Sequence, residues 1–190
     1  MTKEAYLELF GEILNAQTNE APYDDEHYIH YVKMNQSRQD RWLKKAALTP
    51  ETTRFMQSWD VPSRWVVITE PWCGDAAHVL PFLFKMSELN ENISLEIQLR
   101  DGSDSEIEKY MTNGGKAIPI LVVRDEQGND LFHWGPRPRA CQQLVNETRN
   151  TGASQEDLIN AIQHWYNQNK GLEIQSEITR MLSQVKKLAF

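Results

Sequence analysis

Apolar residues recur along the first sixty positions at the spacing of helices. Tyr6, Leu7, Phe10, Ile13 and Leu14 share one stripe of a 3.6-residue period, which predicts an amphipathic helix at the start of the chain. Pro22 and the acidic pair Asp24-Asp25 break that helix and open a second, carrying Tyr28, Tyr31, Val32, Trp42 and Leu43. Thr49-Pro50-Glu51 predicts a third start: a capping hydroxyl, a proline in the first turn and an acid at the positive end of the helix dipole.

The period changes after Pro62-Ser63. Trp65 to Thr69 is a short β-branched run that reads as a strand buried on both faces. A helix follows over about 75–90, with Val79, Leu80, Leu83, Phe84, Met86 and Leu89 as its apolar positions. Ile93, Leu95, Ile97 and Leu99 alternate as a second strand, and Ser103 with Glu106 predicts a capping box that opens a short helix through Tyr110. Ala117 to Val123 is a third strand with Pro119 near its start, and Leu131 to Trp134 pairs back on it as a hairpin across Asp125–Asn129. Pro136 and Pro138 precede a helix containing Cys141, Leu144 and Val145. Ser154 with Asp157 caps another through Trp165 and Tyr166, and Gly171 separates it from a last helix over 172–188.

These elements predict three stretches within one compact domain. A helical N-terminal extension spans 1–60, an α/β core 61–150, and C-terminal helices packed on the core 151–190. The 190 residues are 40% hydrophobic and 25% charged, with a net charge of −7, which argues against nucleic-acid binding through phosphate neutralisation. No apolar run approaches the roughly 18–20 residues of a bilayer span, and the N-terminus lacks the apolar stretch of a signal peptide. A cytoplasmic protein with no membrane contact is the expectation. Cys73 and Cys141 are too few for a disulfide framework, and no Cys/His cluster has zinc spacing.

The core order of strand, helix, strand, helix, strand, strand, helix carries a specific set of residues. Trp72-Cys73-Gly74 follows the first strand and begins a helix; Pro81 lies eight residues beyond Cys73; Ile118-Pro119 opens a strand; and the hairpin leads to Gly135. In these features the chain resembles the thioredoxin superfamily, and more narrowly the bacterial thioredoxin-like proteins with a single-cysteine Trp-Cys-Gly-Asp site. The helical N-terminal extension and "NGGKAIP" are also similar to that group. The resemblance covers the middle half of the chain. It implies a thioredoxin-like fold, a mixed sheet of about four strands flanked by helices, with helical extensions at both ends. It also implies a cis Pro119 beside the sulfur and a groove formed by Trp72, Gly74, Asp75, Ile118, Pro119 and Gly135.

Two departures bear on chemistry. A dithiol site resolves its mixed disulfide with a second cysteine three residues on, where this chain has Ala76. The buried acid that thioredoxins place six residues before the first cysteine is Val67 here. Cys73 at a helix start would gain acidity from the dipole, whereas Asp75 in the same turn and Glu70 disfavour a second anion. The inferred topology brings Arg100, Lys116, Arg137 and Arg139 towards Cys73 as a basic rim that would sustain a thiolate or attract an anion.

Two functions follow, the first ahead of the second. One is monothiol thiol–disulfide exchange, in which Cys73 as the catalytic residue forms a mixed disulfide with a protein or low-molecular-weight thiol. The other is a non-catalytic binding module that uses the old groove. A third idea, a cofactor held by one Cys73 from each of two chains, is set below both, and neither of the first two needs a cofactor. Cys141 reads as a core cysteine rather than a resolving one, and His78, on another helix face, as a weak candidate for base or ligand. The terminal helices read as faces packed on the core sheet, with a homodimer surface as the alternative.

Overall fold

A computed structural model describes residues 1–188. Three helices come first: α1 (Lys3–Asn15), α2 (Glu26–Lys45) and α3 (Pro50–Gln57). Each start is fixed by a side chain taking up a backbone N–H that the helix leaves without a partner: Thr2 for Ala5, Asp25 for His27 and Thr49 for Thr52. The α/β part follows as β1 (Ser63–Thr69), α4 (Ala76–Ser87), β2 (Ile93–Leu99), β3 (Ile120–Arg124), β4 (Asp130–Trp134) and α5 (Arg139–Asn150). The chain then forms α6 (Gln155–Asn169), opened by the Ser154–Asp157 capping box, and α7 (Leu172–Leu188).

The four strands form one mixed sheet in the order β2-β1-β3-β4. Strand β1 runs parallel to β2, with Val67 opposite Ile97, and antiparallel to β3, with Val67 opposite Leu121. Because β4 is antiparallel to β3, the chain leaves β1, β2 and β4 at the same end of the sheet, where it enters β3. Strand β1 is central and buried from Trp65 to Thr69, which explains why its apolar residues run on without alternating. The edge strand β2 is met at Ile97 by Met1, whose amino group donates to the Ile97 carbonyl at 2.7 Å and whose C=O accepts from the Ile97 N–H at 2.9 Å. The sheet and helices thus form the thioredoxin-like α/β fold, with helical segments before and after it.

Helix α2 lies across α4, α3 packs on α4 and α7, and α5 packs on α6. At the α6–α7 junction Gly171 has φ +76°, and a Cβ there would fall 2.3 Å from the Phe82 ring of α4, so only glycine lets the two helices close on α4. Among the described residues no helix is long and apolar enough to cross a membrane.

Two local expectations differ from the structure. Ser103 and Glu106 form no capping box. Residues Ile107–Tyr110 make a single 3₁₀ turn, the Glu106 N–H donates to Gln98 Oε1 at 2.8 Å, and the Glu106 carboxylate binds Arg124. The signature is local, but its acid is shared between Arg124 of β3 and Lys109 in the 3₁₀ turn itself. Strand β3 also begins at Ile120 rather than Ala117, because the chain turns through the cis Ile118–Pro119 bond before it joins the sheet.

Candidate functional site

The chain leaves β1 at Thr69 and turns through Glu70-Pro71-Trp72 to set Cys73 just before α4. The Cys73 N–H donates to the Glu70 carbonyl at 3.0 Å, and Cys73 is 6% exposed. Its Sγ donates to the Ile118 carbonyl at 3.4 Å, so the residue before the cis Pro119 lies against the sulfur. Pro119 is buried. Gly135 sits behind it with φ +134°, and a Cβ there would lie 2.2 Å from the Pro119 carbonyl oxygen. Gly135 therefore lets two chain turns touch, and it lies outside the cavity beside Cys73.

Burial pushes the Cys73 thiol up to about 12, and the Asp75 carboxylate adds to this. The backbone N–H groups of Ala76 and Asp75, and after them Arg137, pull the other way. Loss of solvation outweighs the helix end, and the sulfur is a protonated thiol at neutral pH. Glu70 plays no part: its carboxylate accepts from Tyr23 Oη at 3.0 Å and from the Asp101 N–H at 2.9 Å, away from Cys73.

Asp75 is locked. Arg137 holds it through both oxygens, Nε to Oδ1 at 2.9 Å and Nη2 to Oδ2 at 2.7 Å, and Tyr166 Oη donates to Oδ1 at 2.9 Å. The Tyr166 ring stacks on His78 at 4.6 Å, and His78 bridges Trp42 Nε1 at 2.8 Å and Gln163 Oε1 at 2.6 Å. His78 thus belongs to a buried polar network that ties α2, α4 and α6 together. Among the described residues no cluster could hold a metal ion. Cys141 is fully buried in α5, unpaired, and pushed up to about 12 by burial and then by Asp75.

A cavity of about 410 Å³ opens beside Cys73. Trp72, Gly74, Asp75 and Ile118 form its base, and Arg100, Lys116 and Arg137 stand around it. Arg100 lies over the Trp72 ring at 4.6 Å, with Tyr28 edge-on to the same ring at 5.6 Å. Arg139 is not part of this rim. Its backbone N–H is tied to Glu177 of α7 at 2.8 Å, and its side chain is exposed in a separate depression beside Trp134 and Gln143.

The sequence reading missed the roof. Arg38, with Tyr28 and Tyr31, reaches the cavity from α2, and Leu158, Ile159, Ile162 and Gln163 reach it from α6. A Cβ on Gly74 would lie 3.7 Å from Gln163 Nε2 and 3.9 Å from Arg38 Nη1. The available signal was polar Asn35 and Gln39 on the buried stripe of α2 with Val32 and Trp42. Asn35 uses its position to donate to the Pro71 carbonyl at 3.1 Å and to accept from Arg38 at 3.0 Å, which fastens α2 to the Trp72-Cys73 turn.

A family model described as Thioredoxin matches residues 21–158, so the match takes in α2 and the first turn of α6 as well as the sheet. Among solved structures the chain is similar to an HIV epitope-scaffold at 20% identity and a TM-score of 0.60, over 92% of this chain and 97% of that one. It is similar also to a protein of unknown function from Pseudomonas aeruginosa at 22% identity and a TM-score of 0.53, over 85% and 97%. At such identities the likeness is one of fold. No curated protein matches the chain.

Proposed function

The chain belongs to the thioredoxin family, and on that premise we propose that it is a binding member of the fold rather than a dithiol exchanger. Its Trp72-Cys73-Gly74-Asp75 corner would hold a ligand in the roofed cavity. The observation that carries this reading is the state of Cys73: buried, hydrogen-bonded to Ile118, and pushed up to about 12 with no second cysteine at Ala76. A thiol is not the nucleophile; its thiolate is. Residues of α2 and α6 line the cavity that Cys73 borders.

The test is alkylation of the native protein with iodoacetamide across pH, with mass analysis of both cysteines. Cys73 is expected to react about as slowly as Cys141 near neutral pH, and fast only after unfolding. Rapid native alkylation with an apparent pKa at or below about 8.5, that of a free thiol, would overturn this reading.

One observation favours the second reading, monothiol exchange: the N–H groups of Asp75 and Ala76 face the sulfur, and Cys73 borders the cavity. There the Cys73 thiolate attacks a disulfide and expels one thiolate. An external thiol then releases Cys73 by attacking the mixed disulfide.

A further inference from the structure

We infer that the roofed cavity takes a small organic anion with an apolar body, its anionic group held by Arg38. This rests on the binding reading above and names its ligand class. Five cations border the cavity, Arg38, Arg100, Lys116, Arg137 and Arg149, in a chain whose net charge is −7. The one carboxylate among the described lining residues, Asp75, is already neutralised by Arg137. Arg100 and Lys116 have carboxylate partners in Asp101 and Glu108. Arg38 has none among the described residues, and its only hydrogen bond there is to Asn35, so most of its five N–H donors are free.

Arg38 is half-buried, and the nearby Arg41 is a like charge that works against it. A desolvated guanidinium with a cationic neighbour and no counterion is costly, and a bound anion relieves both effects. The same cavity is apolar on the α6 side, with Leu158, Ile159 and Ile162, and aromatic at Trp72. Its volume of about 410 Å³ is at the small end for ligand sites, which favours a small ligand over a polymer. Charge at one end and hydrocarbon at the other select an amphipathic anion, whether carboxylate, sulfonate or phosphate ester.

The probe is 8-anilinonaphthalene-1-sulfonate, titrated into the full chain by fluorescence, with neutral N-phenyl-1-naphthylamine as its uncharged counterpart. One sulfonate is expected to bind per chain, with affinity that falls as salt rises. Arg38→Gln should weaken it about tenfold or more and Arg38→Lys should recover part of the loss, while Arg180→Gln on α7 leaves it unchanged. The neutral analogue should bind more weakly and ignore all three substitutions. If Arg38→Gln does not fold, Arg149→Gln and Lys116→Gln, at exposed positions, carry the same comparison with smaller expected losses. No binding, equal binding of the neutral analogue, or indifference to the cations overturns the inference. Fast native alkylation of Cys73 overturns the binding reading instead, so the two failures are distinct.

Discussion

Removing the titratable ring of His78 should change how stability depends on pH, by an amount the structure sets. Trp42 Nε1–H donates to His78 Nδ1 at 2.8 Å, and indole nitrogen only donates, so Nδ1 is unprotonated. The ring proton is therefore on Nε2, facing Gln163 Oε1 at 2.6 Å, and protonating Nδ1 would set two N–H groups against each other. Burial lowers His78 from 6.5 to about 4; Gln163 opposes the shift, and Arg38 and Arg41 add to it. The folded pKa is depressed, so the unfolded chain takes up the proton first as pH falls. Stability from the neutral ring is complete above pH 6.5 and is lost down to about pH 4. At about 1.4 kcal/mol per pH unit that loss is on the order of 3 kcal/mol.

Glu70 and Asp75 contribute the opposite slope, because burial raises both. The measurement is accordingly a difference. Urea unfolding of the wild type and of His78→Gln is compared at about pH 7, 5.5 and 4.5. The variant should be the less stable at pH 7, and the gap should shrink by about 2–3 kcal/mol at the acid end. A gap that stays constant refutes the assignment of a neutral, buried His78.

Two further changes test the frame around Cys73. Arg137→Gln leaves Asp75 buried without its cation and should cost about 3–5 kcal/mol at neutral pH by urea unfolding. Asp75 would then be raised further, so this loss should shrink as the pH falls and Asp75 is protonated in the fold; a loss that does not vary with pH argues against the pairing. Gly135→Ala should cost about 3 kcal/mol or more, since its Cβ meets the Pro119 backbone, whereas Gly128→Ala, at φ +84° in open space, should cost about 1 kcal/mol. Equal costs would contradict the close approach at Pro119.

Helix starts were legible because their code is local. Thr49-Pro50-Glu51 and Ser154–Asp157 each hold both partners of the cap within four residues, and the structure uses both. Ser103 and Glu106 have the same local form and fail, because Arg124 of β3 and the neighbouring Lys109 take the Glu106 carboxylate while Gln98 of β2 accepts its N–H. Periodicity likewise told which face of α2 is buried but not what buries it. Val32, Asn35, Gln39 and Trp42 make a stripe whether α2 lies on the sheet or over the cysteine turn. Only the contact of Asn35 with Pro71 decides between them, and no pattern within α2 contains it.

The charge state of Cys73 was unreadable for a related reason. Sequence neighbours supply two influences of opposite sign, the helix end and Asp75. Desolvation by distant parts of the chain is larger than either, and it comes from the third dimension. The basic rim is also partly taken up by Asp75 itself. Arg137 closes on Asp75 through both oxygens, so an acid and a cation of the corner pair with each other. Two cations of the cavity then stand without a carboxylate among the described residues, Arg38 in the roof and exposed Arg149. A protonated thiol and an unmatched, half-buried guanidinium in one corner are the two observations on which the proposed anion site rests.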